Sequence, residues 1–460
     1  MTTSAPDAPN AADAHAGYAA RREALAAEVR EARGRGAPLA LAKETSNLFR
    51  DRNAAPARKL DVRAFDHVLS VDADKGVVEA EGMTTYEALV AAALGEGMLP
   101  AVVPQLKTIT LGGAAAGVGI EASSFHVGLV HDTLHEIDVL TGRGDVLTCR
   151  PDNEHSDLFH GFPNSYGTLG YALRLSAQAI RAQPYVELAH RRFESLDDML
   201  TALFAACKGG ADFVDGVAFS PGEYYLNLCR FVAHAPYVSD YTYERIYYRS
   251  IREREVDYLT AADFIWRWDT DWFWCSKNLG AQNPLLRRLY GRDRLGSRTY
   301  QKIMRWNSRH QVTGWLDRLR GLHPESIIQD VDIPFERAAE FMAWFEREIG
   351  IAPVWLCPIG SAPAAGRFPL YPLDPGRLYV NFGFWDVKRT RDAHPAGHFN
   401  RLIEREVARL GGIKSLYSDS YYSRAEFDAA YGGAAYRALK AKYDPDGALP
   451  ELYDKCVLRH

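Results

Sequence analysis

The chain has 460 residues, 47% hydrophobic and 25% charged, a balance typical of a soluble globular protein with room for two or three domains and a sizeable core. Its net charge of −5 leaves no overall basic excess to neutralise phosphates, so nucleic acid is not an expected partner, although a whole-chain figure says nothing of local basic patches. No apolar run approaches the ~20 residues that cross a bilayer, no basic-then-apolar leader opens the chain, and the six cysteines show no CxxC spacing; together these read as a reduced, cytoplasmic protein without a transmembrane segment.

Residues 1–17, rich in Ala, Pro and Asp, read as disordered. Residues 18–33 have helical spacing, and Pro38–Lys43 reads as a short strand running into KETSNLFR, whose hydroxyls, amide and two cations suit a phosphate-binding turn. HVLSVDADKGVVEAEG (67–82) alternates around Asp-Lys-Gly as a hairpin. Thr84 and Glu87 have capping-box spacing ahead of an apolar helix that stops at Gly97. A second hairpin covers 136–149, turning at Gly142-Arg143-Gly144, and another strand ends near Arg181. This order is α+β, without the strict βαβ alternation of a doubly wound sheet. Beyond Pro184 the chain is richer in aromatics, and strand-like runs (214–220, 226–232, 378–384) mix with helical ones (196–208, 334–349). The division expected is a disordered N-terminus (1–17), a first domain (18–183), a second (184–411) and a C-terminal segment (412–460) with a Tyr/Asp/Ser cluster and a turn at Pro445 and Gly447.

The most informative stretch is 102–134, with five glycines (Gly112, Gly113, Gly117, Gly119 and Gly128) set among Ala, Thr and Ser. Small side chains let main-chain N–H groups close on a large anionic ligand such as a dinucleotide. Gly117-Val-Gly119-Ile-Glu-Ala122 imitates a Rossmann fingerprint, but neither an apolar strand before it nor an amphipathic helix after it supplies the context. His131 and His135 have the spacing of metal ligands without an evident third, so no metal is assigned. No GxSxG, HExxH or P-loop is present. WRWDTDWFW (266–274), followed by Arg287, Arg288 and Arg292, reads either as a core cluster with a solvated basic helix or as aromatics that rest on a membrane interface or cover a lipid-sized pocket.

Taken together, KETSNLFR, PQLKTITLGGAAAGVGIEASSF, DLFHGFPNSYGTLGY, NPLLRRLYG, PVWLCPI, SLYSDSYYSRAEF and ALPELYDKC resemble one family, from about Pro38 to Cys456. The family is the FAD-dependent delta(24)-sterol reductases, the diminuto/seladin group within the vanillyl-alcohol-oxidase-type (PCMH-type) flavoproteins. The resemblance implies an FAD-binding domain at 18–183, an α+β cap or substrate domain at 184–411, and a C-terminal segment returning to the flavin. It implies Thr45, Ser46, Asn47, Leu48 and Arg50 in a first pyrophosphate loop. Thr110, Leu111, Gly112, Gly113, Gly117, Gly119, Ile120, Ser123 and Ser124 would line the flavin loop, and Gly167, Thr168 and Gly170 would support the nucleotide half. Relatives in the wider superfamily tether FAD through a His in the first loop; SNLFR has none, so the FAD is expected to be non-covalent.

The activity so implied is FAD-dependent reduction of an isolated carbon–carbon double bond in a lipid, with NADPH or NADH reloading the flavin. Animal members begin with a membrane helix that is missing here, and a bacterial, methylene-branched fatty acyl chain suits the composition better than a sterol or isoprenoid. The lipid is expected at a membrane surface, with the protein cytoplasmic or peripheral to the membrane and a lipid methyltransferase as partner. The acid is sought among Tyr417, Tyr421, Tyr422 and Asp419, with Glu121 as a further candidate. Trp355, Tyr379, Asn381 and Trp385 are expected to wall the substrate pocket. Two rival readings are an FAD-dependent alcohol oxidase releasing hydrogen peroxide and a non-catalytic protein that carries flavin and lipid.

Overall fold

A computed structural model describes residues 11–32, 38–43, 49, 57–310, 317, 319–360 and 368–459. The first element is a helix, Ala11–Ala32. Alanine, the strongest helix former, recurs through it, and Tyr18, Leu25, Ala26 and Val29 fall on one buried face. The disorder expected of residues 1–17 therefore does not hold for 11–17. Propensity carries the helix back past Tyr18, whose hydroxyl donates to Asp138 at 2.6 Å and anchors it.

Two short parallel strands follow, β1 (Leu39–Ala42) and β2 (Arg58–Asp61). The first main sheet is antiparallel. It is built from β3 (Val68–Asp72), β4 (Val77–Glu81), β5 (Met98–Pro100), β6 (Leu134–Leu140), β7 (Val146–Cys149) and β8 (Tyr171–Arg181). Its order is β3-β4-β8-β6-β7, with β5 against the end of β8. Both hairpins expected from sequence are present, and the β6–β7 turn uses Gly144 at φ 84°, a left-handed backbone that favours glycine. The helix Tyr86–Gly95 is capped one residue later than expected. Thr85 accepts from Ala88 N, while Thr84 is drawn inward to donate to the His67 carbonyl at 3.0 Å, so the Thr84–Glu87 box does not form.

The second sheet comprises β9 (Tyr185–Phe193), β10 (Phe213–Ser220), β11 (Glu223–Val232), β12 (Val256–Thr260), β13 (His323–Pro334), β14 (Val354–Gly360), β15 (Leu378–Thr390) and β16 (Ile413–Lys414), in the order β12-β9-β11-β10-β14-β15-β13-β16. Strand alternation sorts its side chains. Val214, Leu226, Ile327, Val331, Leu356, Val380, Phe382 and Phe384 face the helices Leu196–Ala206, Ala338–Glu348 and His398–Arg409. Trp355, Cys357, Ile359, Tyr379 and Trp385 face the core shared with the first sheet.

After β16 the chain crosses back. The helix Gly433–Tyr443 places Lys440 Nζ on the carbonyls of Thr168 and Leu449, each at 2.9 Å, and Ala448 O accepts from Leu39 N at 2.8 Å. The two sheets enclose a cavity of about 830 Å³, within the range of small-molecule and cofactor sites. Among the described residues no helix is long and apolar enough to cross a membrane, and all six cysteines are free thiols.

Candidate functional site

One wall of the cavity is backbone. Thr110 caps the helix Leu111–Ala116, its hydroxyl accepting from Gly113 N at 3.2 Å. Two glycines at a helix start are costly in propensity, and packing explains them. Gly112 N donates to Gly82 O at 2.9 Å, and a Cβ on Gly112 would lie 2.6 Å from that oxygen. A Cβ on Gly82 would in turn lie 2.0 Å from Ala172 O on β8. Three main chains thus stack with no space for a side chain. A Cβ on Gly119 would lie 2.5 Å from the Val130 side chain at Cγ2. Gly82, Thr110, Gly112, Gly113, Gly117, Gly119 and Ile120 line the cavity, joined by Gly167 and Gly170. Tyr166 stands beside them with φ at +50°, strained for a residue with a side chain; its N–H donates to Ala116 O at 2.8 Å and Lys455 Nζ donates to its carbonyl at 2.6 Å.

The facing wall is aromatic. Trp355 from β14 and Trp385 from β15 line it with Trp272 and Phe273. The Phe273 and Trp385 rings lie 4.1 Å apart, centroid to centroid. Trp272 and Phe273 are held at φ 48° and 59°, a left-handed conformation costly for bulky residues. Buried carboxylates fix that turn. Asp269 accepts from Lys107 N at 2.9 Å and Ser297 Oγ at 2.6 Å, and Asp271 takes both arms of Arg287 at 2.7 and 2.9 Å. The segment 266–274 is divided: Trp268 and Trp274 are core, Trp272 and Phe273 face the cavity, and Arg287 of the following helix is buried on Asp271 where a solvated basic helix was expected.

Between the walls lies an acidic corner. Alternation along β13 turns Ser326, Ile328 and Asp330 toward the cavity. The hydroxyl of Tyr417, just after β16, accepts from Trp385 Nε1 at 2.8 Å and faces the Asp330 carboxyl. Tryptophan only donates, so the tyrosine proton remains available to Asp330 or to a ligand. Burial pushes the Asp330 carboxyl up to about 7, and Asp332 adds to that shift, while the facing Tyr417 hydroxyl opposes it. Burial and the neighbouring Asp330 charge hold the Tyr417 hydroxyl well above its ordinary range. Asp332, on the same face, is raised to about 6 by burial, against hydrogen bonds from Tyr371 (2.6 Å) and Asn381 (2.8 Å).

Of the acids sought from sequence, Tyr417 lines the cavity. Tyr421 and Asp419 lie one layer back, where Arg459 Nη2 approaches the Tyr421 hydroxyl at 3.3 Å and Asp419 Oδ1 at 3.4 Å; Arg459 itself lines the cavity. Tyr422 is buried against Tyr431. Glu121 is not a lining residue. It is buried with its Oε1 at 3.4 Å from Arg267, which also holds Asp215 at 3.0 Å, and burial raises its carboxyl to about 7 against that cation. Trp355 Nε1 donates to Asp215 at 3.2 Å and so ties this cluster to the cavity wall.

Several expected contact residues brace the wall from behind. Leu111 is core, Ser123 donates to Ala101 O at 2.7 Å, Ser124 accepts from Glu121 N at 3.1 Å, and Thr168 donates to Ser165 O at 2.8 Å. Tyr379 accepts from Asp374 N at 3.1 Å, and Asn381 is occupied with Asp332, so neither lines the pocket; Trp355 and Trp385 do. Thr45, Ser46, Asn47, Leu48 and Arg50 lie outside the described residues. His131 packs edge-on to Phe368 at 4.4 Å, and His135 is exposed. Sequence reasoning missed Gly82, Gln105, Asp330, Tyr166 and Arg459. The strand IIQDVDIP did carry a signal for Asp330, because alternation sets it beside Ile328 and away from Ile327 and Val331.

The lining suits a flat, polyphosphorylated cofactor. At Gly82 and Gly112 its glycine wall leaves no space for a Cβ, and the amide of Gln105 lines the cavity beside it. The comparisons agree. Residues 16–150 match the family model for the FAD binding domain. The chain is 26% identical to the Delta(24)-sterol reductase of Homo sapiens over 404 residues, covering 84% of this chain and 75% of that protein. It is 22% identical to the Delta(24)-sterol reductase of Arabidopsis thaliana, covering 86% and 76%. Cytokinin dehydrogenase 10 of Oryza sativa subsp. japonica is 30% identical over 159 residues, 33% of this chain and 28% of that protein. Its FAD binding domain, its α+β architecture and the extent of these matches make this chain an FAD-dependent oxidoreductase of the PCMH-type family, on the branch of the delta(24)-sterol-reductase-like proteins.

Proposed function

We propose that this protein reduces an isolated carbon–carbon double bond in a lipid, a methylene-branched fatty acyl chain or a sterol or isoprenoid side chain, with NADPH or NADH as reductant. The observation that carries the reading is the Asp330–Tyr417 corner, a pair that keeps a proton at neutral pH inside an aromatic-walled cavity. The other carboxylates at the cavity are committed elsewhere: Asp386 to Lys277 at 2.6 Å and Asp317 to Arg389 at 3.0 Å. Asp330 has no such cation among the described residues.

When bound, FAD supplies hydride chemistry. An isolated alkene accepts hydride poorly unless a proton reaches its other carbon in the same step. Tyr417 holds that proton at its hydroxyl, and Asp330, near neutrality in its own titration, replaces it. Trp385 fixes the tyrosine oxygen through its indole N–H. Trp355, Trp385 and Phe273 exclude water and give an apolar chain a bed. The names of the relatives favour a double-bond reductase over an alcohol oxidase. If the chain is methylene-branched, a lipid methyltransferase is the class of enzyme that supplies it.

The test is anaerobic. NADPH should bleach the flavin absorbance at about 450 nm, and a lipid with an isolated double bond should restore it while its saturated analogue does not. Bleaching by a simple alcohol, with peroxide released in air, would replace this reading by an oxidase. Inertness to both reductants would leave a carrier of flavin.

A further inference from the structure

The helix Pro284–Tyr290 is built inside out. Its buried residue is Arg287, an arginine, and its exposed ones include leucines: Leu285 at 72%, Leu286 at 44% and Leu289 at 76% exposure. Asn283 caps it, accepting from Leu285 N and Leu286 N, and Pro284 starts it, so the helix is well specified. The buried guanidinium is satisfied by Asp271 and the Ala281 carbonyl. A helix folding only against its own protein in water places leucine inward and arginine outward. The reversal calls for a non-aqueous neighbour on the outer face.

The same surface continues to the cavity mouth. Tyr290 donates to Leu279 O at 3.2 Å, and Leu279 lines the cavity. Ile303, Met304 and Trp306, on the helix Ser297–His310, also line it, and Trp306 is 55% exposed. Leu285, Leu286, Leu289, Trp306 and Leu319 make up half of the ten large apolar side chains that are exposed among the described residues. Cations surround them. Residues 284–307 hold seven Arg and Lys against one Asp, in a chain whose net charge is −5. Arg288, Arg292, Arg294, Arg298, Lys302 and Arg305 are exposed. Among the described residues, three of these touch acids at the rim: Arg288 with Glu244 at 3.4 Å, Arg292 with Asp240 at 2.9 Å, and Arg298 with Glu87. Such exposed pairs are weak, and cations remain in excess over this surface.

We infer that this surface docks the protein on an anionic lipid bilayer, with Leu285, Leu286 and Leu289 inserted among the acyl chains and the cavity mouth opening onto the membrane. Leucines on an outward helix face within a ring of arginines match an interfacial helix, in which apolar burial and attraction to anionic lipid add. The inference deepens the proposed function and rests on its reading of the cavity as a lipid site, but the docking surface can be tested without turnover.

The FAD-loaded protein is sedimented with vesicles of phosphatidylcholine alone and of phosphatidylcholine mixed with phosphatidylglycerol. Binding is expected to the anionic vesicles, weakening as salt is raised. The double substitution Leu285→Asp and Leu289→Asp should lower vesicle affinity at least ~tenfold while leaving flavin content and bleaching by NADPH unchanged. Arg294→Glu with Lys302→Glu should remove the preference for anionic vesicles. Absence of binding by the wild type, or unchanged binding by the leucine variant with its flavin intact, overturns the docking surface. A leucine variant that elutes as a smaller species than wild type overturns it as well, by making this face a contact between copies. Failure of the reductase test with vesicle binding intact would remove the activity and leave the membrane surface standing.

Discussion

The two walls of the cavity are made by opposite means. The glycine wall is local: Thr110 to Ile120 and the nearby Gly82 and Gly167–Gly170 form a surface by omitting side chains. The aromatic wall is assembled from places far apart in the chain: Trp272 and Phe273 from one turn, Trp355 and Trp385 from two strands, and Tyr417 from the segment after β16. At Gly82 and Gly112 the first tolerates no added atom, because backbone stands behind it. The second consists of side chains leaning on one another through a few hydrogen bonds, and it should give way gradually.

The sharpest way to break this contrast is Gly112→Val. The new Cβ meets the Gly82 carbonyl at 2.6 Å, and backbone cannot step aside as a flexible side chain can. We expect a folded protein that purifies colourless, with the flavin-to-protein absorbance ratio down at least ~tenfold. Stoichiometric flavin in that variant would disconnect the glycine wall from the cofactor. Gly113→Val should also lose flavin, by unseating the Thr110 hydroxyl 2.8 Å from its added Cβ.

Next in size come the acids. Tyr417→Phe and Asp330→Asn should each slow lipid reduction ~10²-fold or more, while bleaching by NADPH in a stopped-flow trace stays near wild type. Equal slowing of both half-reactions would make the pair a structural brace. The wild-type rate of lipid reduction should fall as pH rises through about 7, where Asp330 loses its proton, and the small residual rate of Asp330→Asn should be flat across that range.

The same carboxyl bears on stability. Its pKa in the fold, about 7, is raised above the ordinary 3.8. Its stabilising contribution is therefore complete below about pH 4 and is lost as pH rises through about 7. Asp330→Asn carries no such loss. Thermal melts should show the variant gaining on wild type between about pH 4 and pH 7, by on the order of 1–2 kcal/mol once the side open to the cavity is allowed for. A constant difference between the two proteins across that range would mean that Asp330 is not strained by charge.

The smallest effect tests the aromatic wall. Trp385→Phe removes the 2.8 Å bond to Tyr417 and keeps most of the apolar area. We expect a loss of about 1 kcal/mol in the lipid step, roughly fivefold, with cofactor binding intact. A loss as large as that of Gly112→Val would show the two walls to be equally unforgiving.

The parts legible in sequence were those set by short-range chemistry. Both hairpins of the first sheet, the strand at Leu39–Ala42 and the glycine run follow from turn residues, alternation and the size of neighbouring side chains. The cap at Thr85 was misjudged by one residue, because a tertiary hydrogen bond to His67 claims Thr84. Asp330 was passed over since alternation shows two faces without showing which one meets a cavity. Glu121 was singled out for a local reason, its place beside the glycine run, but Arg267, 146 positions away, draws it behind the wall.

By itself, then, the sequence determined a backbone-lined cofactor surface, an α+β architecture and the supply of aromatic and tyrosine residues, because glycine spacing and strand periodicity act within a few residues. The tertiary structure alone decided which carboxyl shares a corner with Tyr417, and that the helix Pro284–Tyr290 turns its leucines outward. Both outcomes depend on distant partners, Trp385 for the tyrosine and Asp271 for Arg287. Burial and pairing of a charge are settled only where the packed chain leaves room for the counter-ion.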